Sequence, residues 1–156
     1  MSETYNAARS TATSEPEFNS GLYREIFAHS NEPIAILNPQ GHYLEQNTAH
    51  HDLLGYSDDE LEGKTPAIHM GSEAFENIAR ELAEKGSYRG EVISHTKAGE
   101  IRHIEVSAFT TRDSFGNPIC YVEIKRDISK RKLAEEALRR SEALLTDFFE
   151  SKLDIF

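Results

Sequence analysis

A single cysteine, Cys120, stands in a chain of 156 residues, so no internal disulfide is available and the fold needs no oxidising compartment. No apolar run approaches the roughly 20 residues that span a bilayer, and Met1 to Pro16 lacks the apolar stretch of a signal peptide. These absences lead to the expectation of a cytoplasmic location, with any membrane anchor lying elsewhere in a parent protein. Positive charge is scarce. Lys and Arg total 17 against 27 Asp and Glu, a net charge of −10, which argues against nucleic acid, since phosphate binding depends on basic side chains that release counterions. The chain also lacks a nucleophile with a partnered base, a Gly-rich phosphate loop and a defined carboxylate pair, so nothing in it indicates an enzyme.

What remains suits one domain with tails. Hydrophobic residues make up 38% of the chain, enough for one core at a length typical of a single domain. Residues 1–19 are rich in Ser, Thr, Glu and Ala without apolar periodicity, as expected of a disordered arm or linker. Leu22, Ile26 and His29 then fall at helical spacing. Pro33 to Leu37 is an apolar run closed by the turn Asn38-Pro39-Gln40-Gly41, and His42 to Gln46 follows, which together describe a hairpin.

Helical signals come next. Asn47 is placed to cap a helix through Leu54, and Ser57 with Glu60 has the spacing of a capping box. Ser72 is a candidate cap for a longer helix in which Phe75, Ile78, Ala79 and Leu82 share one face, ended by Lys85-Gly86. Three strands follow, over residues 89–96, 100–111 and 119–126. Alternation puts Ile104, Val106 and Ala108 on one face of the second, and Cys120, Val122 and Ile124 on the core face of the third. The order is β-β, several helices, β-β-β, an α+β arrangement.

From Ser129 the pattern turns helical. Ala134, Leu138, Ser141, Leu145 and Phe148 are spaced 4, 3, 4 and 3 apart, as in a coiled-coil seam, and Glu135 with Arg139 and Glu136 with Arg140 form i, i+4 pairs. The seam spans only about two heptads, fewer than a secure coiled coil shows.

Over about residues 20–130 the sequence resembles the PAS family with its C-terminal PAC segment. The likeness rests on Pro33-Ile34-Ala35-Ile36, on Asn47, on Leu54-Gly55-Tyr56-Ser57 followed by Glu60-Leu61-Glu62-Gly63-Lys64, on Tyr88-Arg89-Gly90-Glu91, and on Arg126-Asp127-Ile128-Ser129 before Lys130-Arg131-Lys132. The resemblance implies a PAS fold: a five-stranded antiparallel sheet in the order 2-1-5-4-3, with helices on one face enclosing a ligand cavity. It also implies a homodimer through the N- and C-terminal helices. The expected function is that of a sensor module in a larger signal-transduction protein, such as a two-component sensor histidine kinase or a cyclic-dinucleotide enzyme. The alternative is a purely structural dimerisation module. On this reading residues 20–128 form the sensory domain, 129–149 the connector helix and 150–156 a tail. Because Leu144 to Ser151 resembles Leu22 to Ser30 in pattern, that tail is either the start of a second such module or plain amphipathic helix.

Candidate cavity residues are Ile36, Asn47, Tyr56, Phe75, Ile78, His103, Ile104, Val106, Val122 and Ile124; the alternative for most is ordinary core filling. No metal site is expected, since His50 and His51 are adjacent on a helix, point about 100° apart and read as exposed. The haem-binding subclass carries an axial His on the long helix, where this chain has none. His69, just before that helix, is a weak haem candidate. Flavin photochemistry needs a Cys in the helical region, whereas Cys120 lies on the last strand, and Trp is absent; only a non-covalent flavin stays open. No cofactor is required by the sequence.

Asp127 and Ser129 are candidate relay residues. Ser129 is placed to cap the outgoing helix, but Lys130, Arg131 and Lys132 oppose its dipole, so Asp127 or acids elsewhere on the sheet must hold them.

Overall fold

The structure, a computed structural model, describes residues 15–153. Its elements are α1 (Glu15–His29), β1 (Ile34–Leu37), β2 (Tyr43–Gln46), α2 (Thr48–Leu54), α3 (Asp58–Leu61), α4 (Ala67–Met70), α5 (Ser72–Lys85), β3 (Ser87–His95), β4 (Ile101–Arg112), β5 (Pro118–Asp127) and α6 (Ser129–Leu153). The strands form one antiparallel sheet in the order β2-β1-β5-β4-β3, as the resemblance implied. No helix among the described residues is long and apolar enough to cross a membrane.

Local chemistry sets most boundaries. Asn47 caps α2 by accepting from the His50 N–H, and Ser57 and Glu60 make both halves of the capping box that opens α3. Gly86 ends α5 at φ +77°, a left-handed conformation that an L side chain resists, and its N–H closes on the Leu82 carbonyl. Two expectations at helix starts need correction. Helix α1 begins at Glu15, so residues 15–19 are helical and only 1–14 of the expected arm lie outside the described residues. Ser72 is the first residue inside α5, not its cap; Gly71 holds that position and no side chain caps the helix. At the other end, α6 runs unbroken to Leu153, past the expected end of the connector, and 154–156 lie outside the described residues.

Helices α2, α4 and α5 cover one face of the sheet. Their Leu54, Met70, Ile78 and Leu82 pack with Ile104, Val106 and Ala108 of β4, while Ala35, Leu37, Tyr43 and Leu61 form a second apolar cluster by β1 and β2. Strand β5 runs between the two clusters, and Tyr56 and Tyr121 touch both.

The inner side chains of β5 are the main departure from the sequence reading. Ala108 pairs with Glu123 and Val106 with Lys125, so Tyr121, Glu123 and Lys125 face the core with Val106 and Ala108. Val122 and Ile124 pair with Phe109 and Ser107, on the opposite face, and Ile36 pairs with Val122 on that same face. A β-bulge between Thr111 and Arg112 is the cause. Continued without it, the pairing of Arg112 with Pro118 would set Ala108 against Val122 and turn the apolar set of β5 inward. One extra residue reverses every side chain beyond it.

Candidate functional site

The inner face of β5 carries a charged pair at the centre of the fold. Lys125 is fully buried and Glu123 nearly so, and Lys125 Nζ donates to Glu123 Oε2 at 2.7 Å. Glu123 sits between two small cross-strand neighbours, Ala35 and Ala108, which leave room for its carboxylate. Ions so far from water persist only when paired and hydrogen-bonded, and the surrounding side chains complete that condition.

Lys125 Nζ also lies 2.9 Å from His50 Nε2, and His50 Nδ1 lies 2.7 Å from Gln46 Oε1. Only one tautomer satisfies both contacts: Nε2 accepts from the ammonium and Nδ1–H donates to the amide oxygen. Gln46 Nε2 in turn donates to the Tyr56 carbonyl and to Asp58 Oδ1. A second chain runs beside the first. The Tyr43 hydroxyl is 2.7 Å from His69 Nε2, and His69 Nδ1 is 3.0 Å from Ser94 Oγ. Lys125 Nζ stands 5.8 Å from the centroid of the Tyr43 ring, and the His50 and His69 rings are 6.5 Å apart, edge to face.

Burial and the nearby ammonium fix the protonation states. His50 is held well below the usual imidazole range, first by burial, then by Lys125, His69 and His51. His69 is lowered by burial and then by Lys125. Burial, followed by the Glu123 carboxylate, pushes the Tyr43 hydroxyl well up. Both imidazoles are therefore neutral at neutral pH.

This geometry decides several candidates. His50 is wholly buried, not exposed as its position beside His51 suggested. His69, the haem candidate, has both ring nitrogens engaged by Tyr43 and Ser94, leaving no free lone pair for an axial bond. Among the described residues no group of three or more His, Cys, Asp or Glu is arranged to hold a metal ion. Phe75, Ile78, Tyr56, Ile104 and Val106 do lie on the inner side. Ile36, Val122 and Ile124 do not, and neither does His103, which pairs with Ile93 on the outer side.

Asn47 is buried, but its side chain serves the backbone. Oδ1 accepts from the Ile34 and His50 N–H groups, and Nδ2 donates to the Phe27 and Glu32 carbonyls.

A pocket of about 160 Å³ opens between α5 and the sheet. Its walls are Leu37, Pro39, Gln40, Gly41, Phe75, Ile78, Ala79, Leu82 and Tyr121, and Glu123 is its one charged lining group. Phe75 lies over Gly41, whose φ of +87° is a left-handed conformation that favours glycine at the mouth. Sequence reasoning passed over Glu123 and Lys125 because they alternate with an apolar set; the signal available was Ala35 and Ala108, two small residues that lie opposite Glu123 on the strands to either side of it.

The far end of β5 holds the outgoing helix. The Ser129 N–H donates to Asp127 Oδ1 at 2.9 Å, while Ser129 Oγ accepts from the His103 N–H and the Ile128 N–H donates to the His103 carbonyl. The basic run is held by Glu91 of β3, which reaches Arg131 at 2.8 Å and Lys132 at 2.6 Å. These contacts, Lys132 foremost, lower the Glu91 carboxyl. Of the two expected sources of negative charge, the sheet acid binds the basic side chains and Asp127 caps the helix; Ser129, the expected cap, is instead the first residue of α6, its hydroxyl taken by the His103 N–H.

Comparison with known proteins agrees with the architecture. A family model described as PAS fold matches residues 27–133. A methyl sulfide methyltransferase-associated sensor of Methanosarcina acetivorans is 30% identical over 131 residues, covering 79% of this chain and 13% of that protein. Sporulation kinase E of Bacillus subtilis is 26% identical over 145 residues, covering 90% and 19%. The chain thus spans less than a fifth of either relative. A crystal structure of a domain from Colwellia psychrerythraea superposes with a TM-score of 0.65 at 21% identity, covering 72% of this chain and 98% of that one.

Proposed function

Because this chain belongs to the PAS family, we propose that it is the sensory module of a larger signal-transduction protein and relays the state of its inner face to an output domain through α6. One observation carries the reading: a single strand, β5, bears the buried Glu123–Lys125 pair and, two residues later, the Asp127 that caps α6. A change that moves Lys125 moves the helix root, with no loop between them to absorb the displacement. A ligand acts on this element only through its differential affinity for two arrangements of it. The two relatives, a sensor and a sporulation kinase, favour the same reading and suggest a kinase as output.

The relay is tested by hydrogen exchange on the whole chain. A His50→Gln substitution perturbs the cluster, whereas Leu54→Ala loosens α2 without touching it. The expected result is altered exchange at residues 130–133 for the first and not for the second, after correction for global stability. Equal effects from both would remove the relay.

A homodimer through α1 and α6 is part of the proposal. Leu22 and Ile26 on α1, and Leu138, Leu145 and Phe148 on α6, are all exposed, and α6 buries none of its side chains. The same exposed seam supports the second reading, a structural dimerisation module without a ligand. Sedimentation measures the dimer, and native mass spectrometry with a thermal-shift metabolite screen separates the two readings.

A further inference from the structure

The pocket under α5 has mainly apolar walls, with Gln40 among its lining residues and Glu123 as its one charged acceptor. Glu123 Oε2 is taken by Lys125, and among the described residues Oε1 makes no hydrogen bond, although the side chain is 1% exposed. Among the described residues the buried side-chain atom left without a partner is Thr110 Oγ1, so Glu123 Oε1 is not sealed off, and the opening beside Glu123 is the pocket itself. Size narrows the occupant, since an apolar cavity of about 150 Å³ admits a molecule as large as benzene. Charge narrows it further. Lys125 already neutralises Glu123, and His50 and His69 are neutral, so a charged ligand finds no net charge to offset the loss of its hydration.

Resting on the sensory reading above, we propose that this pocket binds a neutral, benzene-sized molecule with one hydroxyl, which donates to Glu123 Oε1 while its apolar body packs against Ile78, Ala79 and Leu82. The hydrogen bond to a carboxylate is charge-assisted and so supplies specificity. Binding also draws charge from the Glu123–Lys125 contact, which couples occupancy to the strand that roots α6.

Phenol and toluene are the probes, being nearly isosteric and differing in the donor. Titrated into the full chain and followed by amide NMR, phenol is expected to shift resonances of Gly41, Ala79 and Glu123, and to bind at least about tenfold more tightly than toluene. Benzoate and benzylammonium are expected to bind more weakly than phenol. Ala79→Phe fills the pocket and is expected to abolish binding. Removing the Glu123 acceptor alone risks unfolding, so the paired variant Glu123→Leu/Lys125→Met is used, which has no acceptor at this position and in which phenol and toluene should bind alike. Equal affinity of the two for the unaltered protein, shifts away from the pocket, or phenol binding that survives Ala79→Phe would each overturn the inference. None of these outcomes bears on the His50→Gln exchange experiment, so failure of the ligand class and failure of the relay are separately visible.

Discussion

Lys125 Nζ lies 2.7 Å from the Glu123 carboxylate although the two residues stand only two apart on one strand and neither side chain reaches solvent. Removing one member leaves the other as an unpaired charge in the core. Glu123→Ala or Lys125→Met alone is therefore expected to destabilise the fold by about 3–5 kcal/mol. The double variant Glu123→Leu/Lys125→Met removes both charges together and is expected to fall within about 2 kcal/mol of the parent, the residue being the donor that His50 loses. Urea denaturation of the three proteins measures the difference. Single losses no larger than the double loss would show that the pair is not a coupled ion pair.

The two buried imidazoles make stability depend on pH. Both are held below their ordinary value of 6.5 in the folded chain, so the unfolded state takes up protons that the folded state refuses. The contribution is complete above about pH 6.5 and is lost as pH falls below it, with a limiting slope of about 2.7 kcal/mol per pH unit when both histidines count. Carboxylates lowered by their partners, such as Glu60 at about 2, add their own loss only in more acidic solution. His50→Gln should halve the slope between pH 6.5 and 5.5, measured by urea midpoints at each pH. An unchanged slope would mean that His50 is not the titrating group.

Much of this fold was readable in the sequence because local signals agree with one another. The capping box of Ser57 and Glu60, the Asn47 cap and the Gly86 stop all depend on residues within a few positions of each other, and all recur in the structure. The site was less legible. Whether Val122 or Glu123 faces the core is settled by the bulge between Thr111 and Arg112, and apolar alternation favours the wrong set by its own logic. Likewise His50 and His51 are indistinguishable by composition; only the position of Lys125, 75 residues on, makes His50 a core residue.

At the root of α6, Glu91 and Asp127 act on different groups. Glu91 neutralises Arg131 and Lys132, and Asp127 accepts the Ser129 N–H. These contacts are solvent-exposed, so they matter more to the angle of the helix than to global stability. Glu91→Gln and Asp127→Ala are each expected to speed amide exchange in residues 130–133 several-fold while leaving the thermal midpoint nearly unchanged. A midpoint that falls in step with the exchange rate would reassign the contacts to stability.

Asn47 illustrates how one side chain sets an entire corner. Four backbone groups depend on it: the N–H groups of Ile34 and His50, and the carbonyls of Phe27 and Glu32. It therefore joins the end of α1, the start of β1 and the first turn of α2, and a shorter side chain leaves all four without their partner. Asn47→Ala is expected to cost about 2–4 kcal/mol, more than the loss of an ordinary helix cap. Asn47→Asp separates the two halves of the bracket. It keeps the acceptor for Ile34 and His50 but sets a carboxylate against the two carbonyls, which repel it. Its stability should consequently improve as pH falls and the carboxyl gains a proton to donate, measured relative to the parent at the same pH. A cost for Asn47→Asp that does not change with pH would show that the contacts to Phe27 and Glu32 contribute nothing.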